Sequence, residues 1–161
     1  MQTQPTFHTI ATKNLVGHYR TISFNDNSTY TLWNHFMPLR NEIKNAIGTT
    51  LYSVQLYPID FFKNFSPNNP FEKWACREVP NFENVPSGMS TLVIPEGLYA
   101  VFHFIGDASN ASEIYNYIFM EWLPASNYNL DIRPHFEILG ELYKYNDPNS
   151  EEDIWIPIIS K

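Results

Sequence analysis

Two carboxylates in this chain stand out by the residues around them. Glu137 lies in His135-Phe-Glu-Ile-Leu139, between two apolar neighbours, in a run whose alternation reads as a β-strand. Its side chain shares a sheet face with Leu139. A carboxylate in such a run is out of character unless that face meets solvent or the group has work to do. Two readings stand side by side. Glu137 is either an exposed acid on a solvated face or a partly buried carboxylate whose partner is a ligand cation. Glu121, directly before Trp122 at a predicted helix end, is the competing carboxylate, and its plain reading is a solvated acid.

Aromatic side chains are the second resource. The chain holds 10 Tyr, 12 Phe and 4 Trp, enough both to fill a core and to line a binding surface. Trp122 and Trp155 are the best candidate pocket rings, because both lie in the same half of the chain as Glu137. Tyr99 and Tyr52 begin strands expected to border a cleft, and either could supply a hydroxyl. Each tryptophan taken singly reads as core more readily than as ligand contact. A cation over an aromatic face gains about 0.5–2 kcal/mol, so a few rings with one carboxylate could hold a ligand at micromolar concentration.

Other chemistries have little support. The five histidines (His8, His18, His35, His103 and His135) show no metal-ligand spacing, and Cys76 has no neighbouring base to activate it. There is no glycine-rich phosphate loop and no nucleophile elbow, so neither a metal nor a cofactor is expected. A net charge of −7 with only 10 Lys and Arg argues against direct nucleic-acid binding and suits a cationic ligand or a solvated acidic surface. A single cysteine excludes an internal disulfide and fits a reducing compartment. No leader pattern and no apolar run of about 20 residues is present. A cytoplasmic protein without membrane contact is the expectation.

The elements that must position these residues come in a repeated order. Residues 1–13 read as a lead-in or edge strand, and 14–161 as a single domain. Strands are expected over Leu15–Phe24, Leu51–Tyr57 and Phe71–Val79, with a helix from Tyr30 to Met37 that Pro38 either ends or follows with a short helical turn through Asn45. The second half starts with Ser90–Ile94 and a Pro95-Glu-Gly97 turn, and strands are expected at Leu98–Phe104, His135–Leu139 and Asp153–Ile158, with a turn at Asn146-Asp-Pro-Asn149. The second helix is expected to open on a capping box at Asn110 and Glu113 and to stop before Pro124. Val16–Phe24 matches Tyr99–Phe104, Tyr52–Tyr57 matches Phe136–Leu142, and Phe71–Val79 matches Asp153–Ile158. The fold class is therefore α+β: two strand-helix-strand-strand units, about 14–80 and 90–159, forming one antiparallel sheet with both helices on one face. A cleft between the halves is the natural small-molecule site.

Several stretches also resemble the gyrase-inhibitor-like (GyrI-like) effector-binding domain family. They are Val93-Ile-Pro-Glu-Gly-Leu-Tyr-Ala-Val-Phe102, Glu121-Trp-Leu-Pro124, Phe136-Glu137 and Asp153-Ile-Trp-Ile-Pro-Ile158, with Leu32-Trp-Asn-His-Phe-Met-Pro38, Tyr52–Tyr57 and Phe71–Ala75 in the first half. The resemblance runs from Asn14 onward and implies a duplicated fold with a ligand cleft on its pseudo-twofold. It places the family's ligand-binding glutamate at Glu137. The family includes ligand-sensing domains of AraC-type and MerR-type multidrug regulators. The short lead-in departs from those regulators, since it leaves no room for a helix-turn-helix. The resemblance implies a stand-alone binder of lipophilic, cationic or aromatic compounds. A second reading is a hydrolase of reactive cyclopropane-type genotoxins with Glu137 as general base. A third is a protein partner, such as an inhibitor of a larger enzyme like gyrase, acting through its acidic surface around Glu151, Glu152 and Asp153.

Overall fold

The structure, a computed structural model, describes residues 4–140, 144 and 147–161, without the side chains of 108 and 109. Leu142 and Asn146, which close one expected strand match and open one expected turn, lie outside the described residues. The strands are β1 (Thr6–Ile10), β2 (Lys13–Ile22), β3 (Leu51–Leu56), β4 (Phe71–Val79), β5 (Ser90–Ile94), β6 (Gly97–Ile105), β7 (Tyr128–Leu130), β8 (His135–Leu139) and β9 (Glu151–Ser160). The helices are α1 (Thr29–Phe36) and α2 (Ala108–Tyr117).

All pairings are antiparallel, in the order β1-β6-β9-β8-β3-β4-β2-β5, with the short β7 added beside β9. This order reads the same from either end if β1 is exchanged with β5, β2 with β6, β3 with β8 and β4 with β9. The duplication is thus written into the sheet, and its pseudo-twofold runs between β3 and β8. Carrying Ile10 onto Ile94 through the strand registers carries Ser53 onto Glu137 and Lys73 onto Glu152.

The first strand of each unit pairs with the other unit. Only residues 11–12 join β1 to β2, and only residues 95–96 join β5 to β6. Such a link spans at most about 11 Å, so the two sheet edges must approach each other and the sheet must curl. The Glu96 amide donates to Thr12 Oγ1 at 3.3 Å, tying the two links together. Inside the curl lies a core built from strand residues alone, including Leu15, Tyr52, Val54, Trp74, Ile94, Tyr99, Val101 and Phe136. Gly17 lets β2 and β4 approach closely, since a Cβ there would collide with the Ala75 carbonyl.

The opposite face carries both helices. On α1, Leu32 and Phe36 pack against Val16, Ala75 and Val79. Ile114 on α2 and Ile118, just beyond its end, pack against Ala100, Phe102, Ile154 and Ile156. Helical spacing of apolar residues explains both contacts. The end of the second helix differs from expectation. The chain passes through a π-helical turn, Ile118–Trp122, and a last α-turn, Leu123–Ala125. Pro124 is accommodated there because it sits in the first turn of a new segment, where no intrahelical N–H is needed. The expected capping box is also corrected: α2 begins at Ala108, so Asn110 lies within it.

Candidate functional site

Glu137 faces the helices from β8, next to the pseudo-twofold, and is 7% exposed. Strand parity sets its company. Ser53 is its partner on β3, so Gln55 lies diagonally beside it and points to the same face. Gln55 pairs with Lys73 on β4, which brings the lysine to that face as well. From above, α2 contributes Tyr115.

The carboxylate is held at both oxygens. Gln55 Nε2 donates to Oε2 at 2.7 Å, and the Tyr115 hydroxyl donates to Oε1. Lys73 Nζ stands 3.9 Å from Oε2, within ion-pair range but beyond hydrogen-bonding distance. Burial and the Glu137 charge push the Tyr115 and Tyr57 phenols well above their ordinary range. Both tyrosines are therefore neutral donors at physiological pH.

A second carboxyl shares this face. Glu152 lies across the pseudo-twofold from Lys73. Burial first, then the Glu137 charge, pushes its carboxyl up to about 7, although Lys73 pulls the other way and Asp153 pushes it further up. The acidic run Glu151-Glu-Asp153 is thereby split by strand alternation. Glu152 turns toward the helices, while Glu151 and Asp153 turn to the other face and hold His103 from both sides, each at 2.8 Å. Those two bonds raise the pKa of His103.

A cluster of rings lies beside these charged groups, at the end of β3 and around His135 on β8. Tyr57, at the end of β3, packs edge-on against His135 at 4.9 Å. Phe62, from the loop between β3 and β4, stacks on Phe119 at 5.2 Å and on His135 at 5.9 Å. Phe119 belongs to the π-helical turn, so this stack bridges the two halves of the molecule. Burial lowers the pKa of His135 to about 3, and the ring is neutral.

The residues expected from the sequence divide by face. Glu137 and Leu139 point to the helix side, and Leu139 borders a hollow of about 380 Å³ with Thr49, Thr50, Leu51 and Gly140. Trp122 is on that side too, but packs edge-on against Phe102 over β6, two strands from β8. Tyr52, Tyr99 and Trp155 lie on the opposite face, grouped around Phe136 inside the curl. The structure does not bring these three to Glu137. Glu121 is exposed on the helix. Gln55, Lys73, Tyr57, Tyr115, Phe62 and Phe119 were not anticipated. Only their alternation with known strand residues could have placed Gln55 and Lys73 on a common face.

Among the described residues, no group of three or more His, Cys, Asp or Glu could hold a metal ion. Nor is any helix long and apolar enough to cross a membrane. Cys76 is buried, and burial raises its thiol pKa, so it is no nucleophile.

The model of the GyrI-like small molecule binding domain matches residues 3–159. The chain belongs to this family. It is 29% identical over 129 residues to the transcriptional regulator BrlR of Pseudomonas aeruginosa, an alignment covering 79% of this chain and 45% of BrlR. The chain thus spans less than half the length of that regulator. Two solved structures share the GyrI-like fold. The EcmrR C-terminal domain superposes with a TM-score of 0.69 at 20% identity, covering 98% of each chain. SAV2435, solved bound to tetraphenylphosphonium, superposes with a TM-score of 0.68 at 13% identity, covering 97% of this chain and 94% of that one.

Proposed function

We propose that this GyrI-like domain binds a lipophilic cationic or aromatic compound in the groove between α1 and α2, with Glu137 as the charge anchor. The observation that carries this is a carboxylate only 7% exposed, beside the pseudo-twofold and next to a cluster of aromatic rings. Burying an ion costs several kcal/mol unless a partner compensates, and two neutral donors with one distant lysine compensate incompletely. A cation brought by a ligand would complete the pairing, and the rings would supply dispersion and cation–π attraction. Tetraphenylphosphonium, the compound bound by SAV2435, has this character: a positive charge wrapped in aromatic surface. Leu139 and Trp122 stand on the same side and could extend the apolar wall. Tyr52, Tyr99 and Trp155 would act from beneath, by stiffening the floor through Phe136.

The test uses two ions of one shape. Tetraphenylphosphonium and tetraphenylborate are titrated into wild type and Glu137→Gln, with heat of binding and thermal stability as readouts. The cation is expected to bind and to raise stability by about 2.7 kcal/mol at a hundredfold excess over Kd. Glu137→Gln should weaken it at least tenfold, roughly the value of one charge-assisted contact. Equal binding of the borate, or an unaffected variant, would count against the proposal. The bound compound should be recovered chemically unchanged, and turnover would point to hydrolysis instead.

A further inference from the structure

The charges around Glu137 are not of one sign. Lys73 on β4 and Glu152 on β9 are counterparts about the pseudo-twofold, so the duplicated frame places a cation on one side of Glu137 and a carboxyl on the other. The three lie on a diagonal across the sheet: a cation over β4, carboxyl groups over β8 and β9. Arg20, the register partner of Lys73 on β2, extends the positive end.

Lys73 is also the member with capacity to spare. Its side chain is 13% exposed, and its closest charged partner is the Glu137 oxygen at 3.9 Å. Among the described residues its ammonium makes no hydrogen bond within the distances that define one, although it carries three donors. The Glu137 oxygens, by contrast, are each already hydrogen-bonded. A purely cationic ligand seated on Glu137 would leave the lysine donors unused and would be repelled by them.

We infer that the ligand of this site is bipolar: an aromatic compound carrying a cationic nitrogen for Glu137 and an anionic group, such as a carboxylate, for Lys73. This rests on the binding groove proposed above and goes on to assign the ligand's second charge. The cationic end would lie toward β9, where Glu152 adds a second carboxyl, and the anionic end toward β4. No bond is made or broken. Recognition consists of two charge-assisted contacts of opposite polarity joined by an aromatic body.

Rhodamine B, a zwitterion with a free benzoate, and its ethyl ester, a permanent cation on the same ring system, make a matched pair. Fluorescence anisotropy titrations would be run on wild type, Lys73→Met and Glu137→Gln, with tetraphenylphosphonium as a competitor. Wild type should prefer the zwitterion about tenfold, the value of one added charge-assisted contact. Lys73→Met should reverse that preference by losing affinity for the zwitterion and gaining it for the ester, and Glu137→Gln should weaken both dyes. Should Lys73→Met fail to fold, the wild-type preference between the two dyes decides alone. Equal affinity, or preference for the ester, overturns the bipolar ligand while leaving the Glu137 groove standing. If neither dye nor tetraphenylphosphonium binds, the groove itself is refuted and the bipolar ligand with it.

Discussion

Glu137 is held in a way that makes its neighbours sensitive to its charge. Its two hydrogen bonds are charge-assisted and worth roughly 1.5–3 kcal/mol each, which offsets much of the cost of burying it. Glu152 feels the same charge from across the sheet face. Its carboxyl stands at about 7, chiefly through burial and secondly through Glu137. Glu137→Gln removes the second cause while leaving the first. The Glu152 pKa is therefore expected to fall toward, but not reach, the ordinary carboxylate range, followed by NMR of carbon-labelled glutamates. An unchanged titration would mean that the two groups do not communicate. The sequence showed Glu137 to be unusual because its apolar neighbours are adjacent in the chain. It could not show Gln55 as its partner, because the two are 82 positions apart and meet only through the β3–β8 register. The same register turned Tyr52 away: it lies opposite Ile138, on the other face from Glu137. Alternation assigns faces within one strand, but pairing between strands decides which faces coincide.

The loop between β3 and β4 meets the π-helical turn through the Phe62–Phe119 stack. Both rings also meet His135, two residues before Glu137 on β8, and Phe62 is still 36% exposed. A π-helical turn inside a helix often marks a functional site, because the widened backbone re-aims its side chains. Removing the Phe62 ring should widen the approach to Glu137 at modest cost, about 1–2 kcal/mol for a partly exposed aromatic. Phe62→Ala is thus expected to lower thermal stability slightly and to speed association of tetraphenylphosphonium in stopped-flow fluorescence. Unchanged association would show that the ring stack does not gate the groove. Most of this architecture was legible from the sequence, since β4, β6 and β8 fall close to where alternation places them, whereas β5 was not anticipated as a strand. The π-helical turn was not, because Ile118 and Trp122 fit an ordinary helical stripe as well.

At the scale of the whole molecule, duplication built a symmetric frame and divergence placed unlike groups on its axis. Ser53 answers Glu137, and Lys73 answers Glu152. Such a site leaves a signature in stability against pH, because a buried histidine and a half-buried carboxyl oppose each other. His135 has its pKa depressed to about 3 by burial. Between that value and the ordinary 6.5 the unfolded chain binds a proton that the folded one does not, so stability falls as pH drops through this window. Glu152 has the reverse sign. Its pKa is raised from 4.5 to about 7, so over that interval the folded state holds the extra proton and stability falls as pH rises. Each group contributes a slope of at most about 1.4 kcal/mol per pH unit within its window. Difference profiles from denaturant titrations isolate them. Relative to wild type, Glu152→Gln should gain stability as pH rises from 4.5 to 7 and then level off. Relative to wild type, His135→Phe should gain as pH falls from 6.5 toward 3. A flat difference profile for Glu152→Gln would show that the carboxyl is solvated rather than buried beside Glu137. The negative end of the groove would then rest on Glu137 alone.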